Sequence, residues 1–124
     1  MASIFEGVMK VEELYTKMQE YLGMDTEISF QEFEEYYRKV LNYLNSNFAQ
    51  MSREEKIKGK FVVAIVESNS LARARRKGPE MKKYKKMQEK MAFWREAIVY
   101  NLKKDGMTER EIDEEVEKLN QQGE

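Results

Sequence analysis

Three of the helical patterns in this chain open directly on a serine or threonine followed, three residues later, by a glutamate. The pairs are Ser29 with Glu32, Ser52 with Glu55 and Thr108 with Glu111. At that spacing the hydroxyl accepts the backbone N–H of the glutamate, whose carboxylate reaches back to the N–H of the serine or threonine. Two donors that a helix start leaves free are thereby satisfied, so each pair marks a helix beginning. Two pairs carry the apolar clasp that often accompanies this cap, Ile28 with Phe33 and Met107 with Ile112. Proline occurs once, at Pro79, and Gly23, Gly78 and Gly106 fall where helices should stop.

These marks divide the chain into five expected helices. The first runs from about Val8 to Leu22, with Val11, Leu14, Tyr15, Met18 and Leu22 on one side. The second follows Ser29 and reaches about Phe48, its stripe formed by Phe30, Phe33, Tyr37, Val40, Leu41, Leu44 and Phe48. From Ser52 a third helix extends to about Lys77, with Gly78 as its left-handed stop. Its stretch from Phe61 to Val66 is apolar on every side, as befits a helix surrounded by others. The β-branched content would also suit a strand, but a lone strand of six residues has no partner in this chain. Ser68, Asn69 and Ser70 interrupt the pattern and are expected to bend the helix or line a buried contact.

Pro79 suits the first position of a fourth helix, where its missing N–H is no loss. That helix runs to about Asp105 and is closed by Gly106, with Tyr84, Met87, Met91, Trp94, Ile98 and Leu102 facing inward. A short fifth helix, Thr108 to about Asn120, offers Ile112, Val116 and Leu119 for packing. Residues near 1–5 and 121–124 are expected to fray. The expected fold is all-α: one domain of 124 residues, a bundle of about five helices around a long hairpin of the third and fourth.

Cysteine and histidine are both absent. No disulfide framework or thiolate metal site can exist, which agrees with a reducing, cytoplasmic setting. Residues 1–10 hold neither a basic leader nor an apolar core, so secretion is not expected. The apolar run from Phe61 to Val66 is too short to cross a bilayer, so no membrane association is expected either. Without the two commonest bases and nucleophiles, catalysis would fall to carboxylates, lysine, serine or tyrosine, and a non-enzymatic role is expected. No phosphate loop, dinucleotide fingerprint, calcium loop or zinc pattern occurs, and no cofactor is expected. Glu32 with Glu35, and Glu111 with Glu114, share helix faces in a way that could hold magnesium. Such pairs arise on any glutamate-rich helix, and no metal is expected.

Charge is strongly segregated. Residues 1–50 hold four basic and nine acidic side chains, residues 51–104 sixteen and six, and residues 105–124 two and eight. The local balances are −5, +10 and −6, so a chain of net charge −1 hides a basic hairpin between acidic ends. The basic side chains are densest at Arg73, Arg75, Arg76 and Lys77, then at Lys82, Lys83, Lys85, Lys86 and Lys90. Cations ending the third helix complement its dipole, but lysines opening the fourth oppose it by up to ~1 kcal/mol each. An anionic partner would offset that. At 100° per residue, Phe93 and Tyr100 fall close to Lys82, Lys86 and Lys104, opposite the main stripe. Aromatics among lysines suit stacking on nucleic-acid bases, whereas a helix buried on two sides would hide both rings.

The leading expectation is therefore a binding module that docks its hairpin on DNA, RNA or a nucleoprotein complex. Arg73, Arg75, Arg76, Lys77, Lys82, Lys83, Lys86 and Lys90 would contact phosphates, with Phe93 and Tyr100 stacking if exposed. A competing expectation is that the acidic ends neutralise the hairpin within the chain or across a homodimer. A protein-directed adaptor or inhibitor is the alternative, working through Glu34 and Glu35 or a ridge of Tyr36 and Tyr43. A small anion such as a nucleotide at the start of the fourth helix is a third. The size and charge polarity are in the style of small regulators and inhibitors, including those carried by mobile elements.

Overall fold

The three capping signals all open helices in the computed structural model, which describes residues 10–122. At Ser52 the reciprocal bonds are complete: its N–H donates to Glu55 Oε1 (2.8 Å), and Glu55 N–H donates to Ser52 Oγ (3.2 Å). Thr108 and Glu111 do the same at 2.9 and 3.1 Å, and these bonds hold the Glu111 carboxyl below its ordinary pKa. At Ser29 half of the box forms, with Glu32 N–H donating to Ser29 Oγ at 3.1 Å. The Glu32 carboxylate instead lies against the Tyr21 phenol.

Five α-helices result among the described residues: α1 (Val11–Leu22), α2 (Phe30–Asn47), α3 (Arg53–Ala74), α4 (Met81–Lys104) and α5 (Glu109–Gln122). A single 3-10 turn, Phe48–Gln50, links α2 to α3. The fold is an all-α bundle around the α3–α4 hairpin, the most extensive helix pair in the molecule. Helix α3 is its centre and also meets α1 and α5. Its stretch from Phe61 to Val66 is helical, with Phe61, Val62, Val63 and Val66 buried, because neighbours surround it. The polar interruption leaves α3 continuous. Ser70 is fully buried, and its hydroxyl donates to the Val66 carbonyl at 2.7 Å.

Helix α2 and the 3-10 turn after it reach the hairpin through aromatic side chains, Phe30 and Phe33 against Tyr84 and Phe48 against Trp94, all edge-on at 5.3–5.6 Å. It also packs on α1, where the Tyr36 hydroxyl donates to the Leu14 carbonyl at 2.6 Å. Covered on two sides, α2 buries Tyr36 and Tyr43 along with Phe33, Tyr37, Val40 and Leu44 of its expected stripe, while Phe30 and Leu41 are half-buried. The anticipated Tyr36–Tyr43 ridge is thus part of the core.

Helix boundaries differ from expectation in several places. Lys10 is extended and α1 begins at Val11; Val8, the expected start, lies outside the described residues, as do the expected frayed residues 1–5. Helix α5 continues through Gln122, where Tyr15 Oη donates to Gln122 Oε1 at 3.2 Å and to the Leu119 carbonyl at 2.9 Å. Pro79 lies in the turn before α4, whose cap is Glu80. Gly106 is left-handed (φ 102°), and its N–H donates to Lys103 O while that of Met107 donates to Leu102 O, both at 3.0 Å.

At the hairpin corner the left-handed residue is Lys77 (φ 55°), not Gly78. Helix α3 ends at Ala74, and the bond from Lys77 N–H to Ala74 O forces the reversal one residue early. A side chain with a Cβ is strained in that region. Lys77→Gly is therefore expected to stabilise the protein by about 1 kcal/mol, raising Tm by a few degrees. Thermal melts of Lys77→Gly beside Gly78→Ala check this, because only the first relieves strain.

Tyrosine burial sets a further expectation. Burial pushes the Tyr36 phenol far above its ordinary pKa of 10.0, and it raises Tyr15, Tyr37 and Tyr43 as well. Tyr21 is pushed up to about 12, by burial first and then by Glu32. These pKa values are higher folded than unfolded, so their contribution to stability is full below pH 10 and is lost as pH rises. For Tyr36 alone the loss is ~1.4 kcal/mol per pH unit above about 10. In a Tyr100→Phe background, which removes the solvent-exposed phenol, circular dichroism is expected to show cooperative alkaline unfolding, with phenolate absorbance rising together with loss of helix. Phenolates that appear well before the helix melts would contradict the burial of these rings.

Candidate nucleic-acid interface

The expected site residues separate into a buried anchor, a paired corner and an open helix face. Arg73 is the anchor, at 6% exposure. It follows Val62, Val66 and Ser70 along one side of α3, and that side turns inward. Its Nη1 donates to Tyr84 Oη (3.0 Å) and its Nη2 to the Ile28 carbonyl (3.1 Å). The guanidinium lies 4.3 Å from the centre of the Phe33 ring. Arg73 is thus a buried link between α2, α3 and α4, and the expectation that it contacts phosphate is corrected.

Arg76 meets the acidic end of the chain. Its two terminal nitrogens donate to the two Glu27 oxygens, each at 2.6 Å. This fork lowers the Glu27 carboxyl and raises the Arg76 guanidinium from their ordinary pKa values. Similar neutralisation joins Lys58 to Glu12, Arg53 to Asp105 (3.8 Å) and Lys103 to Glu109 (3.4 Å). Within the hairpin, Arg95 pairs with Glu67 at 2.6 Å. The acidic ends therefore neutralise part of the basic hairpin inside one chain.

They do not reach its densest part. Among the described residues Arg75, Lys77, Lys82, Lys83, Lys85, Lys86 and Lys90 form no ion pair, and all seven are exposed. Lys83 sits over the Phe30 ring, 5.3 Å from its centre. After the Glu80 cap, the first turn of α4 holds no acidic side chain, and Lys82 and Lys83 stand there instead.

Phe93 and Tyr100 lie on the same open side of α4, 62% and 66% exposed. The inward side holds Tyr84, Met87, Met91, Ile98 and Leu102, so the two rings fall outside the core. Phe93 makes one aromatic contact, edge-on to Trp94 at 5.5 Å. The structure therefore brings Lys82, Lys86, Lys90, Phe93 and Tyr100 onto one helix. Arg75 and Lys77 stand at the corner before it.

The alternative acidic surface is less coherent. Tyr36 and Tyr43 are buried, and Glu34 pairs with Arg38 at 3.4 Å. Glu35 is exposed at a groove of about 560 Å³ between α1 and α2, which Glu13, Glu32, Lys17 and Lys39 also line. Mixed charge makes this groove a weaker anion mimic than a uniformly acidic face. Among the described residues no helix is long and apolar enough to cross a membrane, and no cluster of three or more acidic groups could hold a metal ion. No protein-family model matches the chain, and neither a curated protein nor a solved structure matches it.

Proposed function

We propose that this protein is a non-enzymatic binding module that docks the open face of α4 and the hairpin corner on nucleic acid, alone or within a nucleoprotein complex. One observation carries the reading. Two large aromatic rings stand in solvent on the helix whose exposed Lys82, Lys86 and Lys90 form no ion pair among the described residues, while Arg53, Lys58, Arg76, Arg95 and Lys103 of the hairpin are paired. Exposed rings of that size favour burial against a partner, and the lysines select an anionic one. Lys82 and Lys83, in the first turn of α4, oppose its dipole, a local cost that phosphate would reverse. Such contacts position the protein without reading base sequence, and regulation or inhibition of a nucleic-acid machine is a role they suit. The lack of cysteine suits a reducing compartment such as the cytoplasm.

Fluorescence anisotropy with labelled single-stranded and duplex oligonucleotides tests the proposal. About five phosphate contacts, from Arg75, Lys77, Lys82, Lys86 and Lys90, imply roughly a hundredfold loss of affinity between 50 and 200 mM salt. Binding that ignores salt, or no binding at low salt, would refute it. The exposed Glu35 favours a second reading, a protein partner at the acidic side of α2. In that case Glu34→Lys with Glu35→Lys would abolish function while the α4 lysines proved dispensable.

A further inference from the structure

We propose that the open face of α4 is built for a single strand of RNA or DNA rather than a duplex. This inference rests on the nucleic-acid reading and deepens it. At 100° per residue, Lys82, Lys86, Phe93, Tyr100 and Lys104 lie within about 20° of one line along α4. Phe93 and Tyr100 stand two turns apart, about 10 Å, or roughly three times the 3.4 Å rise per nucleotide of a stacked strand. Lys82 and Lys86 precede the rings on this line and Lys104 follows them, so phosphates are met before and after the bases.

The flanks of the line differ at the level of the rings. One side carries Lys90 and the small Ala97, and the other carries Glu89 and Glu96, both exposed. Glu96 is 73% exposed, and its nearest cation, Arg95 Nη2, is 4.0 Å away and already engaged by Glu67. A helix in the major groove of a duplex has a phosphate backbone on each side. Here one backbone would follow Lys86 and Lys90, but the second would run against Glu89 and Glu96. A duplex also keeps its bases stacked on one another, leaving Phe93 and Tyr100 no base face to cover. A single strand removes both conflicts. Its one backbone follows the basic flank, and its unpaired bases lie over the rings. Helix α4 also lies against α3 along its length, and Trp94 is tied to Phe48, so α4 presents a face and not a free rod that could enter a groove.

The test uses the intact chain, a labelled single-stranded oligonucleotide of about 15 nucleotides as RNA and as DNA, and the matching duplexes, all in the same buffer. The expected result is a single strand bound at least tenfold tighter than its duplex. Quenching of Trp94, the one tryptophan in the chain, is expected to accompany binding, because Phe93 packs edge-on to it at 5.5 Å. Phe93→Ala with Tyr100→Ala is expected to weaken the single-strand complex about 30-fold or more and the duplex complex less than about threefold. Both rings are exposed, so the variant keeps its fold. Glu89→Lys with Glu96→Lys is expected to raise duplex affinity about tenfold by supplying the missing rail. A preference for RNA over DNA, or the reverse, would identify which strand the face serves. Duplex bound as tightly as single strand, or a preference unchanged in the double alanine variant, would overturn this inference while leaving lysine-dependent binding in place. Failure of both forms to bind at low salt would overturn the nucleic-acid reading itself.

Discussion

Reversing the charge of Lys82, Lys86 and Lys90 to glutamate is expected to reduce nucleic-acid affinity by more than a hundredfold without unfolding the protein. All three side chains are exposed and form no ion pair among the described residues, so no native contact is lost. Removing three cations abolishes the release of about two counterions from a single strand, and three added carboxylates repel the phosphates. The salt dependence of the residual binding should flatten accordingly. Lys82 lies two residues after the Glu80 cap, where a glutamate complements the helix dipole by ~0.3–1 kcal/mol. Thermal stability should therefore hold or rise slightly. Anisotropy paired with thermal melts checks both halves, and affinity within about threefold of the original would count against the face.

Arg73→Ala is expected to do the opposite. It should destabilise the fold by about 3 kcal/mol, lowering Tm by roughly 10 °C, with little direct effect on binding by the protein that remains folded. The substitution leaves Tyr84 Oη and the Ile28 carbonyl without their charged donor and empties the space beside the Phe33 ring. Relief of the buried charge offsets part of the loss, and the Nε atom has no hydrogen-bond partner even in the native fold. Glu27 remains paired through Arg76 and is not stranded. Arg73→Lys is expected to recover only part of the stability, because one ammonium cannot reproduce a fork to two acceptors. A denaturant melt that moved by less than about 1 kcal/mol would show that the anchor is dispensable.

The contrast between Arg73 and Lys82 shows where sequence reasoning carried and where it stopped. Helix starts were legible because a capping box is a local signal, complete within four residues. The phase of Phe93 and Tyr100, opposite Met91 and Ile98, was legible along one helix, but whether a neighbour covered that side was not, and it is the packing of α4 that leaves both rings exposed. Arg73 looked like its neighbours Arg75 and Arg76 because all three end α3 beside free carbonyls. Its role depends on Ile28, Phe33 and Tyr84 arriving from other helices, which local pattern does not encode. A signal was present even so, because Arg73 continues the buried side that holds Val62, Val66 and Ser70. Tyr36 and Tyr43 were misplaced for the related reason that α1 covers a second side of α2. The corner was missed by one residue: Gly78 offers the freedom, yet the end of α3 at Ala74 puts the reversal on Lys77.

Partial neutralisation by the acidic ends could not be settled from composition. Glu12, Glu27, Asp105 and Glu109 reach Lys58, Arg76, Arg53 and Lys103, respectively, and leave the start of α4 bare. Topology decides this. Those acids lie beside α3 and the two ends of the hairpin, while the open side of α4 faces away from them.

The most direct measurement of the central claim is an amide chemical-shift titration of the labelled 14.8 kDa protein with a single-stranded oligonucleotide. Shifts are expected to concentrate at Arg75, Lys77, Lys82, Lys86, Lys90, Phe93 and Tyr100, with the α1–α2 groove unmoved. Shifts centred on Glu13, Glu32 and Glu35, or none at low salt, would contradict it.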